Sequence, residues 1–171
     1  MKKEDIMNTN KKFLQLDDLN IEEVWYACYG SNINYNRLML YINKCNDKSK
    51  PLEEKPFIIN HPIYFACESN LWTGGMAFLD YQKEGKSYGK IYKIKISQFK
   101  DIYKQEPNYY DTIILLDYIN NLPVLTFTSK NKLDAYLNNP SIKYKKVIMD
   151  GLKDLKYNLT EEEMNKYLSN E

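Results

Sequence analysis

The stretch Ala-Cys-Tyr-Gly-Ser-Asn-Ile-Asn-Tyr-Asn-Arg at 27–37 constrains this chain more than any other. Ahead of it, Val24-Trp25-Tyr26 begins an apolar run that reads as a buried strand closed by Gly30. Behind it, residues 34–42 put Leu38, Tyr41 and Ile42 at helical spacing, so a short amphipathic helix follows at once. A strand passing into a helix through Gly30-Ser31-Asn32 calls for a mixed α and β architecture. The consecutive main-chain N–H groups of such a junction suit a carboxylate or a developing oxyanion. The same residue types also serve a plain turn.

The rest of the chain repeats the theme of short strands and short helices. Residues 61–69 and 75–81 read as two strands joined through Asn70-Leu71-Trp72-Thr73-Gly74, and residues 87–96 as a half-buried strand. Residues 97–106 read as a helix capped by Ser97, burying Phe99, Ile102 and Tyr103 and ending at Pro107. Residues 112–119 and 123–129 read as the last strands, with Asn120-Asn121 as the turn between them. The tail is helical, and Thr160 with Glu163 forms a capping box. Residues 43–56 read as a polar connection and residues 1–20 as a loosely ordered N-terminal arm, leaving residues 21–171 as a single domain. About six strands with interspersed helices predict an α+β fold, a curled sheet or small mixed β-barrel with peripheral helices.

Charge and composition remove several functions. A net charge of +1 gives no electrostatic reason for a nucleic-acid or membrane partner. Sixteen tyrosines could stack single-stranded nucleic acid, but without basic surplus that reading is weak, and abundant Lys, Asn and Ile fit an AT-rich coding bias as well. Cys28, Cys45 and Cys67 form no C-x-x-C and are odd in number, which predicts buried thiols in a reducing, cytoplasmic setting. The basic N-terminus leads into no apolar segment, so no secretory signal is expected, and no apolar run is long enough to span a bilayer.

The one histidine, His61, rules out a His-based metal cluster, and neither G-x-x-x-x-G-K-[ST] nor G-x-G-x-x-G occurs. No metal and no cofactor are therefore expected. A Cys28–His61 nucleophile pair is conceivable, though a cysteine inside an apolar strand is usually a packing residue. Glu106 closes a helix next to Pro107, where its charge opposes the helix dipole. It is either a solvated end residue or a carboxylate placed there for chemistry. The pair Gly74-Gly75 after Trp72 suits either a hairpin or close approach of backbone to a ligand.

Five stretches, taken in order, carry a resemblance. They are Y-G-S-N-I at 29–33 with Arg37 beyond it, W-T-G-G-M-A at 72–77, Y-G-K-I-Y at 88–92, Q-E at 105–106 and Y-K-K-V-I-M-D-G at 144–151. Together, over residues 24–168, they resemble the γ-glutamylcyclotransferase family. The resemblance implies a small mixed β-barrel with peripheral helices. It also implies that Tyr29, Gly30, Ser31, Asn32 and Ile33 hold a γ-glutamyl group while Glu106 acts as general acid/base with its pKa raised by partial burial. Trp72, Gly74, Gly75 and Tyr144 would complete the substrate site. The segment Pro107-Asn108-Tyr109-Tyr110-Asp111-Thr112 lacks the glycine that commonly follows the acid in that family, and Tyr109 and Tyr110 stand as alternative pocket tyrosines.

The implied substrate is a γ-glutamyl amino acid, placing the chain in γ-glutamyl peptide and glutathione metabolism. A γ-glutamylamine cyclotransferase and a non-catalytic binding module using the same cavity are the alternatives. A homodimer is expected by family analogy only.

Overall fold

The computed structural model describes residues 13–170. It contains eight strands and, among the described residues, four α-helices, in an α+β arrangement. The strands are β1 (Phe13–Leu14), β2 (Glu23–Cys28), β3 (Glu53–Ile59), β4 (Ile63–Ala66), β5 (Met76–Leu79), β6 (Ser87–Lys95), β7 (Thr112–Ile119) and β8 (Leu122–Thr128). The helices are α1 (Tyr35–Ile42), α2 (Ile96–Gln105), α3 (Ile142–Asp154) and α4 (Glu161–Tyr167). The main sheet has six strands in the order β1-β7-β8-β2-β6-β3, while β4 and β5 form a separate antiparallel pair. β2 runs parallel to β8, with Trp25 opposite Val124, and β7 runs antiparallel to β8. The sheet is therefore mixed.

The first twelve residues of the expected N-terminal arm lie outside the described residues. Its remainder departs from the expectation of a loose arm. Phe13 and Leu14 pair with Ile114 and Ile113 of β7. Leu14 and Leu19 are buried, and two such anchors are enough to hold a short segment down. A second correction concerns residues 53–56, read as part of a polar connection but lying in β3. Its side chains are mostly exposed and it ends the sheet order, so no apolar alternation marks it. Pro56 fits there because an edge strand has one unpaired side. By contrast β6, expected to be half-buried, is mostly buried, since it lies between β2 and β3.

By its contacts the described chain groups into two compact units. The first takes residues 13–27, 39–55 and 91–130; the second takes residues 28–38, 56–90 and 131–170. The core of the first is aromatic. Tyr26 stacks on Phe127 at 5.3 Å and meets Phe99 of α2 edge-on at 5.7 Å. The start of α2 differs from expectation: the helix begins at Ile96, and Gln98, not Ser97, caps it by accepting from the Lys95 N–H at 3.0 Å. The Gln98 amide also donates to the carbonyls of Asp47 and Ser49 at 3.0 and 2.8 Å, which satisfies an almost fully buried polar side chain.

In the second unit Tyr64 of β4 stacks on Phe78 of β5 at 5.6 Å. α3 lies against residues 33–34 at Gly151, where a Cβ would meet the Asn34 nitrogen and the Ile33 side chain, both at 2.8 Å. The Ser141 hydroxyl caps α3, and α4 begins as expected, with Thr160 and Glu163 capping it reciprocally. Among the described residues no helix is long and apolar enough to cross a membrane.

Candidate active site

Nine of the ten expected site residues belong to the second unit, and two of them, Gly30 and Trp72, lie against Tyr144. β2 ends at Cys28, and Ser31–Ile33 form a single 3₁₀ turn. Within it the Ile33 N–H donates to the Gly30 carbonyl at 3.1 Å, and the Asn34 N–H to the Ser31 carbonyl at 3.0 Å. The turn thus uses the Ile33 amide internally, and the amides of Ser31 and Asn32 stand at its N-terminal end. The Ile33 side chain is buried against Gly151, so it fixes the turn to α3.

Gly30 has negative φ, so its lack of a side chain matters for space and not for backbone strain. A Cβ there would lie 3.1 Å from the Tyr144 hydroxyl and 3.4 Å from the Ala77 Cβ. That hydroxyl accepts the Ala77 N–H at 3.1 Å. The Tyr144 ring is held by Phe65, edge-on at 6.3 Å, and by Trp72 at 5.9 Å. Trp72 in turn lies under the Arg37 guanidinium, whose carbon is 5.0 Å from the ring centroid. Tyr29 and Asn32 are buried beside these groups in sequence, at the strand end and in the turn.

The two glycines of W-T-G-G admit the chain's own backbone. Gly74 has φ +69° and pairs with Pro140 as an isolated antiparallel bridge. The Gly75 N–H donates to the Asn139 carbonyl at 2.9 Å, and a Cβ on Gly75 would collide with the Asn138 carbonyl. The Glu68 carboxylate closes this loop, accepting from the Gly74 N–H at 2.8 Å and the Asn138 amide at 2.9 Å.

Glu106, the tenth residue, belongs to the first unit. It is half-buried and caps the C-terminus of α2 in an extended conformation, its N–H donating to the Tyr103 carbonyl at 3.2 Å. The preceding Gln105 anchors that helix end by donating to the Tyr41 carbonyl at 3.1 Å. Tyr109 is exposed; Tyr110 packs edge-on to Phe127 at 6.2 Å. As for the alternative nucleophile, Cys28 is buried in β2. His61 Nδ1 is hydrogen-bonded to the Lys83 carbonyl at 2.8 Å, which makes that nitrogen the protonated donor. Among the described residues no group of three or more His, Cys, Asp or Glu side chains is arranged to hold a metal ion.

Three participants were given no site role by the sequence reading, although Arg37 and Ala77 lie in or beside stretches quoted there. Asn34 accepts from the amides of Asn36 and Arg37 at 3.1 and 3.4 Å, capping α1, and its own amide donates to the Val147 carbonyl at 3.3 Å. An Asn directly ahead of a helical pattern was the available signal. Arg37 and the Ala77 amide join through contacts with residues distant in sequence, for which no local signal exists.

No protein-family model matches the chain. Among curated proteins, Histone deacetylase 5 of Arabidopsis thaliana is 31% identical over 105 residues, a match covering 52% of this chain and 16% of that protein. The chain therefore spans less than a fifth of that relative's length. Three solved structures are similar over most of this chain. A gamma-glutamyl cyclotransferase matches with TM-score 0.66 and 21% identity over 88% of this chain and 89% of its own. An uncharacterized protein from Homo sapiens matches with TM-score 0.62 and 22% identity over 88% and 89%. YkqA from Bacillus subtilis matches with TM-score 0.61 and 19% identity over 89% of this chain and 55% of its own. At these identities the likeness is one of fold, and the fold of this chain is that of the gamma-glutamyl cyclotransferase structure.

Proposed function

We propose that this protein is a γ-glutamylcyclotransferase, releasing 5-oxoproline and a free amino acid from γ-glutamyl amino acids. The observation that supports it is Tyr144, packed on Trp72 and meeting Gly30 with its hydroxyl, in a chain whose fold is shared with a gamma-glutamyl cyclotransferase.

The chemistry asks little of the protein. A γ-glutamyl amide carries its own nucleophile: the α-amine attacks the γ-carbonyl and closes a five-membered ring. Proximity is built into the substrate, and the protein has only to hold the folded conformer. The ring nitrogen loses two protons overall while the departing nitrogen gains two. A single carboxylate that takes and returns protons suffices, and Glu106 has that role. The main-chain N–H groups of Ser31 and Asn32 receive the developing oxyanion. Tyr29, Gly30, Ile33, Trp72, Gly74, Gly75 and Tyr144 shape and support the site.

The test is 5-oxoproline release from γ-glutamyl-alanine, glutathione and a γ-glutamylamine by purified protein. Release from γ-glutamyl-alanine is expected, and release from none of the three removes the reading. Glu106→Gln is expected to fold normally and to lower turnover by about 10²–10⁴-fold. Turnover equal to the wild type would take Glu106 out of the mechanism.

A further inference from the structure

Among the described residues Arg37 is a cation with no acceptor. It lies in the first turn of α1, half-buried, with its guanidinium over the Trp72 ring at 5.0 Å. Its Nε is buried without a hydrogen-bond partner, and its side chain forms no hydrogen bond or ion pair with any described residue. Long basic side chains usually keep their heads in water, and a buried donor left unmatched is costly. Stacking on Trp72 offsets part of that cost and is the purely structural explanation. Stacking, however, engages only the flat face of a guanidinium. Its N–H donors point outward in the plane, in a fork that matches the two oxygens of a carboxylate.

The surroundings say where such a carboxylate belongs. Trp72 carries the guanidinium and packs on Tyr144, and the Tyr144 hydroxyl meets Gly30. In that sequence of contacts, two aromatic side chains come between the arginine and the Gly30 turn. A γ-glutamyl amino acid carries two carboxylates. One belongs to the γ-glutamyl head, which the proposed function assigns to the turn, and the other to the amino acid that departs.

We propose that Arg37 determines substrate class by receiving the carboxylate of the departing amino acid, so that γ-glutamyl amino acids are preferred over γ-glutamylamines. The proposal rests on the cyclotransferase reading. Its test compares γ-glutamyl-alanine with γ-glutamyl-alaninamide, which has the same shape without the terminal charge. The wild type should show a KM for the alaninamide at least about tenfold higher. Arg37→Gln should raise KM for γ-glutamyl-alanine by about 10–100-fold and abolish the discrimination, with Arg37→Lys recovering part of it. Near-equal KM values for the two substrates in the wild type would overturn the assignment without needing any variant. An equal loss on both substrates in Arg37→Gln would also overturn it, because that is what a merely structural arginine produces. In either case continued 5-oxoproline release leaves the cyclotransferase reading standing, whereas no release from either substrate removes both.

Discussion

At Gly30 a hydroxyl group, not a turn conformation, crowds out a side chain. The Tyr144 phenol is fixed by its bond from the Ala77 N–H and by the flanking rings of Phe65 and Trp72, so it has little room to move from a Cβ 3.1 Å away. Gly30→Ala is expected to destabilise the fold by about 1–3 kcal/mol through overpacking. Tyr144→Phe removes the contact atom and the bond from the Ala77 N–H, at a cost of about 0.5–1.5 kcal/mol. The double variant should therefore be less unstable than the sum, with a coupling of about 0.5–2 kcal/mol in urea unfolding. Simple additivity would show that the two residues do not share the contact. Gly30 and Tyr144 were singled out in the sequence because each sits in a short quotable motif, but their mutual contact was not legible. The use of Gly74 and Gly75 was not legible either. The sequence left those glycines open between a hairpin and approach to a ligand, and the segment that does approach, residues 138–141, is remote in the chain with nothing local to identify it.

Among the elements, α1 shows how one side chain joins two helices. Asn34 caps α1 with its carbonyl oxygen and reaches the Val147 carbonyl of α3 with its amide. Asn34→Ala is expected to cost about 1–2 kcal/mol, and Asn34→Ser less, since serine keeps the capping oxygen and gives up the donor. Chemical denaturation of the two variants checks this order; equal losses would make the Val147 bond the dominant part. Which elements were legible follows the same logic of local cause. The β7–β8 turn was readable because Asn120 and Asn121 both adopt positive φ, at 49° and 69°, a conformation asparagine tolerates. β3 was not, because an exposed edge strand has no need for apolar alternation. The cap of α2 was misplaced because Gln98 folds back to the Lys95 amide, and glutamine in the first turn looks like any polar helix residue.

For the whole molecule, six of the sixteen tyrosines, Tyr26, Tyr29, Tyr64, Tyr81, Tyr92 and Tyr144, lie in the core. Others close the backbone of the second unit. The Tyr157 hydroxyl donates to the Gly89 carbonyl at 2.6 Å and accepts from the Phe57 N–H at 3.0 Å, and the Tyr167 hydroxyl accepts from the Tyr88 N–H at 2.9 Å. Phenols placed in this way resist ionisation. Burial pushes the Tyr167 phenol up to about 12, and raises Tyr64, Tyr103, Tyr118 and Tyr157 as well. In the first unit burial, reinforced by Asp101, pushes the Cys45 thiol up to about 11. All these groups are neutral when protonated, and their folded pKa lies above the unfolded value. The stability they contribute is therefore intact below the unfolded pKa and is lost as pH rises through the folded one. Unfolding free energy should begin to fall above about pH 9, as unfolded Cys45 ionises, and fall further between about pH 10 and 12, as the unfolded phenols do. Tyr167→Phe should start lower, having lost the bond from Tyr88, but decline less steeply across the upper window. Urea unfolding at stepped pH, followed alongside phenolate absorbance of the folded protein, measures both. A stability curve that stays flat through that range, or phenols that ionise in the folded state as freely as in a peptide, would show that these tyrosines remain in contact with water.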